Sequence, residues 1–186
     1  EQSITENSKV YITHINTSRQ VVIGGKKNDC QKLLDSLKCM HLQAPYHHAI
    51  HCAPVASEYD GFYHLNNWPV ENAVTIPVYS AANYMPLELE PESNAHAFAK
   101  MLTNPVDFPR LVDLAYADGA RIFIELGAGS NCTKWISAIL KDKPHLAVSI
   151  NQVNVSDHVS ILRLISRLIS HNIRVNLDRL GDSSDG

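Results

Sequence analysis

The sequence lacks a long apolar run, a strong net charge and any closely spaced pair of cysteines, and each absence excludes a class of protein. No stretch approaches the roughly 20 apolar residues that a membrane-spanning helix needs. The net charge is only -3 and the pI is about 6.4, which argues against nucleic acid as the main ligand. The cysteines form no C-x-x-C pair, so we expect reduced thiols in the cytoplasm rather than disulfides. They stand at Cys30, Cys39, Cys52 and Cys132.

The two ends of the chain are polar, whereas the chain as a whole is 45% hydrophobic over 186 residues. That composition is enough to bury one sizeable core. We interpret residues 1–8 (EQSITENS) as a linker and residues 181–186 (GDSSDG) as a tail. Because the first residue is Glu1 rather than methionine, we expect the chain to be a portion of a longer protein.

Apolar periodicity predicts alternating strands and helices. The first part shows two β-branched strand segments joined by the turn residues Asn16, Thr17 and Ser18, and then a short helix. The second part alternates strand, helix, strand and helix, which favours an α/β fold with a parallel sheet. The predicted strands are 10–12, 21–23, 73–79, 121–126 and 145–150, and the predicted helices are 28–38, 93–102, 106–117, 131–140 and 155–170.

The segment RIFIELGAGSNCTKWI (121–136) is the most conspicuous motif. It reads as a strand buried on both faces that ends in an acid, then a glycine turn, then a helix. This order opens several nucleotide and S-adenosylmethionine sites, because glycines let the backbone approach a ligand closely. However, the next strand, LAVSIN (146–151), lacks the acidic residue that would bind a ribose. We therefore prefer a structural strand-to-helix turn to a methyltransferase site.

A histidine cluster, HHAIHC (47–52), allows a second interpretation as a metal site. His47 and His51 are four residues apart, so a helix would place both on one face as zinc ligands. A closed site needs further ligands at regular spacing, and the next cysteine, Cys132, is far away along the chain. The sequence therefore favours no metal here.

Five segments, in order, resemble motifs of the malonyl-type acyl-carrier-protein acyltransferases of fatty acid and polyketide synthesis. NTSRQVVIGG (16–25) resembles N-S-P-x-Q-V-V-I-S-G, and HAIHCAPV (48–55) resembles H-A-F-H-S-P, which carries the family's catalytic histidine. The other three are PVYS (77–80), LTNPVDF (102–108) and ELGAG (125–129), which resemble P-V-Y-S, L-x-x-P-V-x-F and E-V-G-P-G. The sequence of residues 121–136 most resembles that of the acyltransferase of bacterial polyunsaturated fatty acid synthases.

The resemblance implies the rear part of a hydrolase-like, parallel-sheet α/β acyltransferase core, together with part of a small ferredoxin-like subdomain. Mapped onto this chain, the subdomain portion is 9–47 and the core portion is 48–180. The glycine turn is then structural, since in this family it packs behind the site and binds no nucleotide.

The resemblance also implies the residues that act. His51 is the base that takes a proton from a nucleophilic serine, and the backbone carbonyl of Met101 orients it. Ile50, Asn16 and Gln20 fall on substrate-binding positions. The chain departs from the motifs in three places, with Ile50 for phenylalanine, Cys52 for serine and Ser18 for proline, and these departures leave the acyl group open.

The implied activity is transfer of a malonyl or other acyl group from coenzyme A to the pantetheine thiol of an acyl carrier protein, without a cofactor. The serine should stand in a G-H-S-x-G turn, and no G-x-S-x-G occurs in these 186 residues. We therefore expect a separate N-terminal acyltransferase segment as a partner, besides acyl-CoA, carrier protein and other synthase subunits, with neither nucleic acid nor membrane. The alternative is a non-catalytic acyltransferase-like module that docks within a synthase.

Overall fold

The computed structural model describes residues 9–45, 48–71 and 75–178. The chain divides into two compact units, the first ending at Gly119 and the second beginning at Ala120. The family resemblance implies a different division, into a subdomain portion (9–47) and a core portion (48–180). That division stays a prediction.

The first unit is built on a three-stranded sheet in the order β2 (Gln20–Gly25), β1 (Val10–Thr17) and β5 (Val106–Asp107). A tight turn at Ser18 and Arg19 joins β1 to antiparallel β2, while β5 pairs with β1 in parallel. Its elements are β1 (Val10–Thr17), β2 (Gln20–Gly25), α1 (Lys27–Leu37), a 3-10 helix (Ala53–Glu58), α2 (Tyr59–Asn66), β3 (Tyr79–Ser80), β4 (Met85–Pro86), α3 (Pro91–Thr103), β5 (Val106–Asp107) and α4 (Phe108–Ala117).

Strand β1 is irregular at two positions. Its pairing with β2 shifts register between Ile12 and His14 and again between Ile15 and Thr17. Each shift leaves one extra residue, first Thr13 and then Asn16, and both of these polar side chains are buried. Such a bulge breaks the alternation of side chains along a strand and redirects them.

The core of the first unit lies around helix α3. Small side chains, Ala95 and Ala99, are fully buried along it, so that neighbouring elements approach closely. Proline at the first helical position suits the start of α3, because its missing N–H has no partner there in any helix. At the other end the helix stops before Pro105, as the sequence predicts.

The second unit consists of a parallel strand pair and two helices. Its elements are β6 (Ile122–Glu125), α5 (Asn131–Ile139), β7 (Leu146–Ser149) and α6 (Asp157–Ser170). Strands β6 and β7 pair in parallel from Ile122 opposite Leu146 to Glu125 opposite Ser149. The Ser156 side chain caps α6 by accepting a hydrogen bond from the Val159 N–H.

Most predicted elements are present, and the α/β class with parallel pairing is confirmed. The predicted strand 73–79 is wrong over its described part, where only Tyr79 is in a strand, and residues 73 and 74 lie outside the described residues. Pro77 cannot donate to a strand ladder, which explains the late start. The expectation that 121–126 is buried on both faces is also wrong, since Ile122 and Ile124 are each 43% exposed. Within the part of the chain that the structure describes, β6 has a strand partner on one edge only.

Candidate active site

His51 is held by two successive carbonyl groups at the end of helix α3. Its backbone N–H donates to the carbonyl oxygen of Leu102 at 2.7 Å, and its Nδ1 lies 2.6 Å from the carbonyl oxygen of Met101. The last carbonyls of a helix have no partner inside the helix, so they are free to bind a neighbouring segment. His51 has a φ of 60°, in the left-handed region, and this backbone turn accompanies both contacts.

The contact with Met101 fixes which ring nitrogen of His51 carries the proton. A carbonyl oxygen can only accept a hydrogen bond, so Nδ1 must be the donor. In the neutral ring Nε2 then keeps its lone pair and can accept a proton. This is the pair that the family resemblance implies, and the ring has the tautomer that a general base needs.

A second imidazole, that of His14, lies against His51. The ring centroids are 4.6 Å apart and the planes are inclined by 75°, an edge-to-face arrangement. Nδ1 of His14 is 3.0 Å from Oγ1 of Thr13, which donates to the Val22 carbonyl oxygen at 3.3 Å. The pKa of His14 is lowered, first by burial and then by the charge of His51. Sequence reasoning missed this residue, and its one signal was a position two residues before the N-T-S segment.

Glycine at position 24 allows the histidine segment to approach the sheet. A Cβ placed there would lie 2.8 Å from Cβ of Ala49 and 3.2 Å from Cγ2 of Thr13. The first distance is shorter than two carbon atoms tolerate without movement. The absence of a side chain at Gly24 therefore determines how closely residues 48–51 pack on strand β2.

The other predicted site residues are placed as follows. Ile50 directly precedes His51 and is 44% exposed. Asn16 is buried at the second bulge of β1, whereas Gln20 is exposed at the first position of β2. Cys52 is 1% exposed and burial raises the pKa of its thiol, so it is a packing residue rather than a nucleophile.

The acidic residue before the glycine turn of the second unit, Glu125, binds backbone groups of the same unit. The two carboxylate oxygens of Glu125 accept hydrogen bonds from the backbone N–H groups of Cys132 at 3.1 Å and Thr133 at 2.7 Å. These amides open helix α5, so Glu125 acts as its cap. Gly127 and Gly129 have φ values of 105° and 90°, which favour glycine. These contacts give the turn a structural role at the start of helix α5.

The arrangement of histidines that suggested zinc falls partly outside the structure, because His47 is not among the described residues. Within residues 9–45, 48–71 and 75–178, no group of three or more His, Cys, Asp or Glu side chains is placed to hold a metal ion. Over the same ranges, no helix has both the length and the apolar composition needed to cross a bilayer.

A concave surface of about 510 Å³ in the first unit is lined by neither His51 nor His14. Arg110 and Lys100 line it, and both are already engaged. The guanidinium of Arg110 lies 4.2 Å from the ring centre of Tyr84, and Nζ of Lys100 donates to Asn83 at 2.6 Å.

Comparison with solved structures defines the class of fold. The chain matches an acyl carrier protein S-malonyltransferase from Vibrio cholerae with a TM-score of 0.68 and 26% identity, over 83% of this chain and 51% of that one. It also matches the structure of a type II polyketide synthase acyl carrier protein in complex with its malonyl-transacylase, with a TM-score of 0.73 and 21% identity, over 89% of this chain and 52% of that one. The fold is that of part of an acyltransferase domain.

Among curated proteins, the chain is similar to a polyunsaturated fatty acid synthase polypeptide of Thraustochytrium sp., with 24% identity over 93% of this chain. No protein-family model matches. The chain spans 9% of that synthase polypeptide and about half of the two solved structures. The resemblance to acyl-carrier-protein acyltransferases is confirmed by the solved structures, and a subunit of a polyunsaturated fatty acid synthase is among the similar proteins.

Proposed function

We propose that this chain forms the base-carrying part of an acyltransferase that moves an acyl group from coenzyme A to the pantetheine thiol of an acyl carrier protein. One observation carries the proposal: the hydrogen bond from Nδ1 of His51 to the Met101 carbonyl, which leaves Nε2 free to accept a proton. Support also comes from the malonyl-transferring proteins that share the fold.

The first half of the reaction forms an acyl-serine. A serine hydroxyl is a poor nucleophile at neutral pH, so Nε2 of His51 takes its proton as the oxygen attacks the thioester carbon. A C–O bond forms, the C–S bond breaks, and His51 returns the proton to the departing coenzyme A thiol. The second half repeats the steps with the pantetheine thiol as nucleophile, and the proton ends on the serine oxygen.

Helix α3 takes the part that a carboxylate plays in a serine-histidine-aspartate triad. The Met101 carbonyl holds the tautomer and orientation of the ring. The carbonyl end of a helix carries partial negative charge, about half an elementary charge, which favours the imidazolium that forms in the transition state. A neutral backbone group thus suffices, and the methionine side chain at 101 is compatible with the mechanism.

The nucleophilic serine belongs, in this proposal, to a G-H-S-x-G segment outside these 186 residues. The exposed apolar side chains of β6 support this, because a strand with Ile122 and Ile124 uncovered is suited to further packing. The acyl group is malonyl or another acyl chain, with Ile50, Asn16 and Gln20 on the binding positions. The same proposal places the protein in the cytoplasm, with other synthase subunits as partners.

Labelling of the serine tests the function. The intact protein that carries both this chain and the G-H-S-x-G segment is mixed with radiolabelled malonyl-CoA, and bound label is counted after acid quenching. We expect His51→Ala to lower the labelling rate by about a thousandfold, since general-base catalysis contributes about 10²- to 10⁴-fold. His145→Ala is the matched control, because Nδ1 of His145 also contacts a backbone carbonyl, that of Lys143, at 2.8 Å.

Three outcomes would contradict the proposal. If His51→Ala is labelled at the wild-type rate, His51 is not the general base. If peptide mapping finds the label on a residue of this chain, rather than on the serine of G-H-S-x-G, the proposed acyl-serine intermediate is wrong. No labelling of wild type by malonyl- or acetyl-CoA, together with tight binding of carrier protein, favours the non-catalytic docking module.

A further inference from the structure

We infer that His14 is a positioning residue that holds the imidazole of His51 with Nδ1 on the Met101 carbonyl. This inference rests on the proposed function, because it assigns a role to a side chain that touches the proposed base. The two rings meet edge to face at 4.6 Å, and this contact restricts rotation of His51 about its own side-chain bonds.

The bulge in β1 is what brings His14 to the base. In a regular strand, Thr13 and His14 would point to opposite faces of the sheet. The register shift between Ile12 and His14 removes this alternation. As a result the two side chains lie together, with Thr13 Oγ1 3.0 Å from Nδ1 of His14.

Hydrogen bonds fix the orientation of His14 itself. Thr13 has one hydroxyl proton, and its contact with the Val22 carbonyl can only be a donation. Towards His14 the hydroxyl must then accept, so Nδ1 of His14 carries its proton. A connected series of contacts therefore runs from the Val22 carbonyl through Thr13, His14 and His51 to the carbonyl of Met101.

His14 also suits this role because its surroundings favour the neutral ring when His51 takes a proton. Burial and the neighbouring charge of His51 both lower the pKa of His14. A neutral aromatic ring beside an imidazolium is attractive, whereas a second cation would repel it. Lysine or arginine at position 14 would thus weaken the base, and a neutral ring supports it.

Substitutions at two positions separate the ring contact from other roles. In the intact protein, we expect His14→Ala to lower kcat for malonyl transfer about tenfold with KM for malonyl-CoA within about twofold, because a misplaced base slows the chemical step more than binding. His14→Phe keeps a neutral ring and should retain kcat within about threefold. Thr13→Val removes the hydroxyl that orients His14 and should lower kcat by about threefold.

The inference is overturned if His14→Ala leaves kcat unchanged, or if His14→Phe is as slow as His14→Ala, since the ring would then be irrelevant or insufficient. Should His14→Ala fail to fold, His14→Leu, which fills space without a planar ring, replaces it with the same expected loss. His51→Ala distinguishes the two levels. If it transfers at the wild-type rate, the proposed function fails; if it is inactive while His14→Ala is fully active, this inference alone fails.

Discussion

The end of helix α3 in the first unit and the start of helix α5 in the second both bind a side chain through backbone groups. At α5, both oxygens of Glu125 accept hydrogen bonds from amides, so the carboxylate is used up in capping. At α3, Nδ1 of His51 donates a hydrogen bond to the Met101 carbonyl, and Nε2 is not used in that contact. The first arrangement supports structure alone, whereas the second leaves a reactive lone pair.

This difference favours the histidine segment over the more conspicuous motif as the proposed site. The glycine-rich segment 125–129 resembles a ligand-binding turn, yet the Glu125 carboxylate and the Gly129 N–H are hydrogen-bonded within the second unit. The histidine segment is less distinctive, yet no hydrogen bond from the described residues reaches Nε2 of His51. Whether a polar group has remaining hydrogen-bonding capacity is a better indication of chemistry than how unusual its motif looks.

Among changes that leave both histidines in place, the largest effect should come from disturbing the close packing that holds the histidine segment in the first unit. In Gly24→Ala the new Cβ would lie 2.8 Å from Cβ of Ala49, so residues 48–51 or strand β2 must shift. We expect acyl transfer to fall about tenfold, because displacements of this size misplace the base. Steady-state transfer by the intact protein, followed with radiolabelled malonyl-CoA, measures it.

Two further variants sharpen this prediction. Gly24→Ala combined with Ala49→Gly removes the clashing carbon and should restore most of the activity. Gly61→Ala, in helix α2 where a Cβ meets nothing within 4 Å, is the matched control and should leave transfer unchanged. A Gly24→Ala variant with full activity would show that the packing of this segment does not position His51.

The corresponding change in the second unit should affect stability rather than chemistry. Glu125→Gln leaves one acceptor oxygen for two amides and removes the charge. We expect the free energy of unfolding to fall by about 1–3 kcal/mol, measured by urea denaturation. Asp142→Asn, which removes a charge paired with Lys141 at 3.7 Å on the surface, is the control and should change it by less than about 1 kcal/mol. Equal effects of the two variants would contradict the capping role.

The smallest effect concerns the pH dependence of stability. His14 has a folded pKa below its ordinary value of 6.5, owing to burial and then to His51. Below pH 6.5 the unfolded chain therefore binds a proton that the folded chain resists, so the contribution of His14 to stability is present above 6.5 and is lost as the pH falls. In His14→Phe, the melting temperature should decline less steeply between about pH 7 and 5 than in wild type. Parallel curves would refute this.

Much of the fold could be predicted from the sequence because apolar periodicity is strong in the helices. Helix α6 was expected over 155–170 and spans Asp157–Ser170. The predicted strand 73–79 is wrong over its described part, because Pro77 opposes strand pairing although the β-branched residues around it favour a strand. The exposure of β6 could not be predicted either, because the sequence of an apolar strand does not show how many strands or helices pack against it.

The candidate site was less accessible to sequence reasoning. His51 and Met101 came from family motifs, since no spacing rule links residues 50 positions apart. His14 could not be found, because strand alternation places it and Thr13 on opposite faces, and only the bulge brings them together. Bulges carry little sequence signal when, as here, the extra residue is a threonine rather than a glycine.

The contact between His51 and the Met101 carbonyl has a consequence for which substitutions this chain tolerates. An atom of the main chain is supplied by every amino acid, so substitution at position 101 cannot delete it. A mutational scan would score this position by how well each side chain packs, and would overlook the oxygen that contacts His51. Replacing the peptide bond with an ester would not remove that oxygen either, only weaken it as an acceptor, so this partner of His51 is protected from almost any genetic change that keeps helix α3 folded.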